Sequence, residues 1–164
     1  MLAVAVVAGL LALLGWHLAN PTQVPKGAAP DFVLSRLNGA GKLDLTSLRG
    51  KAVVLNFWAS WCVPCKQEAH DLEAGWQRWR GQDVVFLGVD SEDWKGDGRK
   101  FASHYGLTYP LVVDGSGKTK NRYGVTGYPE TFFIDRTGKI VGHHEVGPVD
   151  AEALNTNIRR ALKS

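Results

Sequence analysis

Residues 51–66 read Lys-Ala-Val-Val-Leu-Asn-Phe-Trp-Ala-Ser-Trp-Cys-Val-Pro-Cys-Lys. The first part, Lys51 to Ala59, is a near-continuous apolar run of the kind expected from a central strand covered on both faces. From Cys65 the pattern changes period. Cys65, Ala69, Leu72, Trp76 and Trp79 are separated by 4, 3, 4 and 3 positions and share one face of a helix that continues to Arg80. Cys62 and Cys65 therefore sit at a strand-to-helix junction, with the first sulfur at the helix N-terminus. There the unpaired backbone N–H groups and the helix dipole favour a thiolate, the nucleophilic form of cysteine. Pro64 suits the first helical turn, where its missing N–H costs nothing.

Three positions of spacing let Cys65 reach back and close a disulfide with Cys62. The chemistry this supports is thiol–disulfide exchange: Cys62 attacks a substrate disulfide, a mixed disulfide forms, and Cys65 resolves it. Two other uses of the pair are weaker. Half of a zinc site needs two further ligands, and the adjacent His143 and His144 would point to opposite faces of a strand. An inert structural disulfide would close so short a loop that it constrains little.

Outward from this junction, strands and helices alternate. Asp31–Leu37 and Lys42–Leu45 read as short strands around the turn Asn38-Gly39-Ala40-Gly41. Asp83–Val89 is a second buried strand, Gly98–Tyr105 a second helix and Leu111–Val113 a short strand. Thr131–Asp135 and Lys139–Glu145 read as an antiparallel pair turning at Arg136-Thr137-Gly138. Asp150 caps a last helix whose apolar stripe is Leu154, Ile158, Ala161 and Leu162. The order predicts an α/β domain over residues 31–164, with a central mixed sheet, helices on both faces and an N-terminal β-hairpin extension.

The first thirty residues differ in composition. Residues 1–19 hold an apolar run without a formally charged side chain, readable as a membrane anchor or a secretory signal. No clear small-x-small site follows the run, and no Lys or Arg precedes it, which favours the uncleaved anchor. Residues 20–30 carry three prolines and little to bury, and read as an extended linker. In the whole chain of 164 residues, the net charge of +3 comes from scattered basic side chains. With no basic run, a nucleic-acid arm is excluded. Two cysteines exclude a disulfide scaffold or an all-cysteine metal cluster. No long edge or heptad pattern suggests anything but a monomer.

Phe57-Trp58-Ala59-Ser60-Trp61-Cys62-Val63-Pro64-Cys65-Lys66 resembles the active-site stretch of thioredoxin. Gly124-Val125-Thr126-Gly127-Tyr128-Pro129-Glu130-Thr131-Phe132-Phe133-Ile134-Asp135, followed by Gly138-Lys139-Ile140, resembles the second half of the same superfamily. With Leu55-Asn56-Phe57 and the N-terminal apolar segment, the chain is similar to the TlpA-, ResA- and CcmG/DsbE-like group. These are extracytoplasmic thioredoxin-like oxidoreductases, several of which serve cytochrome c maturation.

The resemblance implies a thioredoxin-like fold and roles for further residues. Pro129 matches the family's cis-proline, which places the peptide group of Tyr128 beside an extended substrate. Glu68 matches the subgroup's acidic residue one helical turn after Cys65, able to exchange a proton with that sulfur. Asn56 stands where thioredoxin itself has a buried aspartate. Glu130 resembles the Pro-Glu-Thr of the cytochrome-maturation branch and is a candidate contact for a basic partner loop. Trp61 is a candidate contact platform beside the cysteines; Trp58, Trp76 and Trp79 are expected in the core.

The function so implied is reduction of protein disulfides on the periplasmic side of the membrane. Apocytochrome c is the leading substrate, a membrane thiol reductant the upstream donor, and no cofactor is needed beyond the cysteine pair. The alternatives are a TlpA-like reductase serving copper-oxidase assembly or general disulfides, and, from another class, a copper-binding chaperone. A thiol peroxidase would carry Pro-x-x-x-Thr-x-x-Cys ahead of its reactive cysteine, and that pattern is absent before Cys62.

Overall fold

The structure is a computed structural model that describes residues 27–164 apart from Lys95, together with residues 6, 7, 9–13 and 15. Most of the expected anchor of residues 1–19 and most of the linker expected at 20–30 lie outside the described residues. Among the described residues, no helix is long and apolar enough to cross a membrane.

Among the described residues, nine strands form one mixed sheet. In chain order they are β1 (Gly27–Ala28), β2 (Val33–Arg36), β3 (Lys42–Asp44), β4 (Ala52–Trp58), β5 (Val84–Ser91), β6 (Leu111–Asp114), β7 (Glu130–Ile134), β8 (Lys139–Ile140) and β9 (Glu145–Val146). The helices are α1 (Val63–Trp79), α2 (Asp97–His104), α3 (Lys118–Arg122) and α4 (Ala151–Lys163), and Leu45–Leu48 makes a 3-10 turn. The spatial order is β1-β8-β7-β4-β5-β6-β2-β3, with β9 also on β7. β4, β5 and β6 run parallel, and the remaining pairs are antiparallel. The β2–β3 hairpin joins the sheet through β6, with Ser35 opposite Val113.

The period-2 alternation of β4 divides the core in two. Ala52, Val54 and Trp58 face one side with Leu72, Phe86, Phe101, Leu154 and Ile158, so α1, α2 and α4 lie there. Val53, Leu55 and Phe57 face the other, with Phe32, Leu45, Tyr123 and Phe132. The second side is closed by the N-terminal segment and by Tyr123, which caps the C-terminus of α3. Asp150 caps α4 as its position suggested, accepting the N–H of Ala153 at 2.8 Å.

Three details depart from the pattern read in the sequence. Gly27–Ala28 pairs with β8, Ala29 is buried, and the Pro30 carbonyl accepts the Tyr123 hydroxyl at 3.0 Å, so the sheet already begins within the span read as linker. Lys139–Glu145 is not one strand but two short ones, broken at Gly142, whose φ of +75° interrupts extended backbone. Lys118–Arg122 adds a short helix, α3, that apolar periodicity does not mark.

Gly88 in β5 supports the close approach of Trp58. A Cβ there would stand 2.6 Å from Leu111 Cδ2 and 2.9 Å from Trp58 Nε1. Gly88→Ala is therefore expected to cost about 1–3 kcal/mol by overpacking. In urea unfolding of the oxidised protein, the midpoint should fall while the slope stays that of the wild type.

Candidate active site

Cys62 is the N-cap of α1, with extended backbone, and its Sγ accepts the N–H of Cys65 at 3.1 Å. Cys62 and Cys65 are joined as a disulfide with Cα atoms 5.3 Å apart. The residues on either side of Cys62, Trp61 and Val63, are exposed. Cys65 points inward, because the helical face it shares with Ala69 and Leu72 packs on the sheet.

Glu68 lies on the same face, one turn along, and is 2% exposed. It lines one small cavity with Cys65, Asn56 and Trp58. One carboxyl oxygen accepts the Asn56 amide at 2.8 Å, and the other accepts the Val149 N–H at 2.9 Å. Burial outweighs these two bonds and pushes the Glu68 carboxyl up to about 7. Asn56 also donates to the Thr131 hydroxyl at 3.0 Å. A proton acceptor with this pKa is matched to the transfers that thiol exchange requires near neutral pH.

The second arm of the site is the turn before β7. The Tyr128–Pro129 peptide bond is cis, as the resemblance implies. The half-buried Tyr128 ring meets Trp61 edge to face, with centroids 5.6 Å apart. Its hydroxyl donates to Glu92 at 3.1 Å. Trp61 and Tyr128 thus present one aromatic surface beside Cys62.

Glu130, expected at a partner-facing position, is instead 1% exposed. One oxygen accepts the N–H groups of Thr126 and Gly127 at 2.8 and 3.1 Å, and the other faces Nε2 of His144 at 3.2 Å. The carboxylate turns inward because the tight turn ahead of Pro129 leaves two N–H groups that no strand partner can satisfy. His144 does not alternate with His143 on a strand: it stacks on Phe132, with centroids 5.0 Å apart, where the chain breaks between β8 and β9. Trp58 and Trp79 are buried, and Trp76 packs against the core from a partly buried position. Among the described residues, no set of three or more His, Cys, Asp or Glu side chains is placed to hold a metal ion.

The acidic segment that follows β5 escapes a periodicity reading. Asp90 pairs in register with Trp58 and is 3% exposed; burial first, and Asp93 beside it second, push its carboxyl up to about 8. Asp93 accepts the Ser60 N–H at 2.7 Å and the Ser60 hydroxyl at 2.8 Å, which fixes the backbone two residues before Cys62. The available signal was three acids, Asp90, Glu92 and Asp93, crowded at the C-terminal end of an apolar strand.

A thioredoxin-like α/β domain with a disulfide-forming C-x-x-C pair at a helix N-terminus is a thiol–disulfide oxidoreductase. The sequence pattern of the AhpC/TSA family matches residues 25–143, and the chain belongs to that family. It is similar to thiol-disulfide oxidoreductase ResA of Geobacillus thermodenitrificans, 42% identical over 80% of this chain and 78% of the relative. ResA of Bacillus subtilis is 33% identical over 80% of this chain and 76% of the relative. Among solved structures, a Chlorobium tepidum protein assigned as thiol:disulfide interchange protein DsbE superposes with a TM-score of 0.77. That match has 34% identity and covers 85% of this chain and 99% of the other.

Glu68 gives the site a pH signature. The folded state holds the proton to about pH 7, whereas an unfolded glutamate releases it near 4.5. Below 4.5 both states are protonated and nothing is lost. Between 4.5 and 7 the unfolded state loses its proton first, so folding weakens as pH rises. Above 7 the loss is complete, at about 3 kcal/mol. Glu68→Gln, which keeps the shape without the charge, should therefore raise the melting temperature over wild type at pH 8 and lose that advantage by pH 4.5. A difference that does not change with pH would mean that the carboxyl is not held protonated.

Proposed function

We propose that this oxidoreductase works as a reductase of protein disulfides, tethered to the outer face of the cytoplasmic membrane by its N-terminal apolar segment. Its proposed substrate is the haem-attachment C-x-x-C disulfide of apocytochrome c. The observation that carries the reductive reading is the placement of Glu68, a buried carboxyl that titrates near neutrality, in one cavity with Cys65.

The chemistry follows from that placement. In the dithiol form, the Cys62 thiolate, favoured by the α1 N-terminus, attacks a substrate sulfur. The Cys62–substrate S–S bond forms, the substrate S–S bond breaks, and the leaving thiolate takes a proton from solvent. Cys65 must then lose its proton inside a low-dielectric pocket, where a free thiolate is costly. Glu68 in its carboxylate form takes that proton. The Cys65 thiolate attacks Cys62, the Cys62–Cys65 disulfide closes, and the second substrate thiolate leaves. Two electrons pass to the substrate, and a membrane thiol reductant returns them to the pair by the reverse exchange. The cysteine pair is itself the redox centre, so the reaction requires no further cofactor.

Trp61 and Tyr128, with the Tyr128 peptide group ahead of Pro129, supply the surface for an extended substrate segment. A TlpA-like reductase with other extracytoplasmic substrates uses the same site, and a panel of disulfide peptides separates the two. A copper chaperone needs a third ligand; His144 is held by Glu130 and Phe132. For a peroxidase, Leu55 and Ala59 stand where the Pro and Thr of that pattern belong.

The reduction potential of the full-length protein, equilibrated in graded thiol buffers, tests the direction of electron flow. A value at or below about −230 mV is expected for a reductase, whereas one near about −120 mV would mark an oxidant and overturn the reading. Alkylation of the reduced protein at pH 6–7 should modify Cys62 ahead of Cys65. The reverse order would remove Cys62 as nucleophile.

A further inference from the structure

We infer that the loop from Glu92 to Trp94 is a third wall of the disulfide site, and that Trp94 packs against the polypeptide flanking the cysteine under attack. The inference rests on the reductase reading above and names where a protein substrate gains its affinity.

Consecutive residues of this loop hold the two arms of the site. Asp93 binds both the N–H and the hydroxyl of Ser60 in the cysteine arm. Glu92 accepts the Tyr128 hydroxyl at 3.1 Å in the cis-proline arm, and its carboxylate pairs with Lys120 at 2.7 Å. A segment bonded to both arms borders the site that they form. The next residue, Trp94, is fixed in its backbone: its N–H goes to Asp93 at 2.7 Å, and its carbonyl accepts the Asp97 N–H at 3.0 Å. The residue is 78% exposed, more than the 55% of Trp61.

An indole on a fixed backbone at the edge of a binding cleft contributes large apolar area at little entropic cost when a partner covers it. Trp61, which follows Ser60, and Val63, which follows Cys62, are exposed as well, so the loop that Asp93 ties to Ser60 adds a further exposed apolar group to this side of the site. The occupant that fits is an extended polypeptide bearing an apolar side chain within a few residues of its cysteine. Glutathione disulfide carries no apolar side chain beside its cysteine and offers the indole nothing to cover it.

The test uses the full-length protein, reduced and freed of reductant. It is mixed with short peptides closed by a C-x-x-C disulfide that carry Leu or Asp beside the first cysteine, and separately with glutathione disulfide. Free thiols are trapped by alkylation over time. Trp94→Ala should lower the second-order rate constant for the Leu peptide roughly five- to thirtyfold, the effect of truncating an interface hot spot. The rate with glutathione disulfide should stay within about twofold of wild type, as should the melting behaviour of an exposed-site variant. Trp94→Phe should recover most of the peptide rate. An unchanged peptide rate, or a parallel fall with glutathione disulfide, would overturn the inference. Self-association or vesicle binding lost by Trp94→Ala while peptide rates hold would overturn it too, by giving the indole another occupant. If the reduced wild type fails on every peptide, the reductase reading falls and this inference with it; if the wild type succeeds and Trp94→Ala matches it, only this inference falls.

Discussion

The carboxyl of Glu68 ties together parts of the chain that would otherwise share only apolar contact. One oxygen is bonded to Asn56 on β4, the other to the backbone of Val149 just before α4, and the group itself rides on α1. Both bonds satisfy donors that would be orphaned in the core, at a net worth of about 1 kcal/mol or more each. Burial costs the charged form more than the bonds return, and for that reason the group titrates near neutrality. The same three-way contact that fixes α1 against the sheet thus sets a carboxyl that titrates near neutrality behind Cys65, the proton acceptor of the proposed mechanism. Were Glu68 exposed, the helix would still form, but the resolving sulfur would have no partner for its proton.

The rest of the site depends on where strands end. β4 and β5 are parallel and finish at the same edge, so Trp58 and Asp90 lie in register there, and the chain after each turns toward the cysteines. β7 runs antiparallel and begins at that edge, which brings Pro129 to the same place. Three loops meet there, and acids fix two of them: Asp93 holds Ser60 in the cysteine loop, while Glu92 holds Tyr128 and Glu130 holds Thr126 and Gly127 in the turn before β7. Loops that carry a redox pair need this bracing, because backbone N–H groups there lack the ladder partners a strand supplies.

What the sequence conveyed follows the same physics. β4 was legible because a strand covered on both faces must be apolar throughout. α1 was legible because its buried residues recur at helical spacing, and the start of α4 because Asp150 is a strong cap. Those signals are local. The inward turn of Glu130 was not legible, since its donors, Thr126 and Gly127, are orphaned by a tight turn and not by any feature of Glu130 itself. The break between β8 and β9, with His144 stacked on Phe132, hangs on a single glycine. Trp94 carries no periodic signal at all. Its position is decided by neighbours that reach across the cleft, and such contacts leave no mark on spacing.

Two buried acids on the same side of the sheet, Glu68 and Asp90, weaken the folded state as pH rises past the range of a free carboxyl. A core optimised for stability alone would replace them with apolar groups of similar volume. In the proposed mechanism Glu68 repays its cost through the proton it exchanges with Cys65. Asp90 has no sulfur among its hydrogen-bond partners, and one of its oxygens lacks any partner. Its neighbour Asp93 is the acid that touches the cysteine arm, and a neutral Asp90 beside it removes the repulsion between the two carboxyls while Asp93 accepts from Ser60. The second buried acid therefore belongs to the bracing of the cysteine loop, and the first, in the proposed mechanism, to its chemistry.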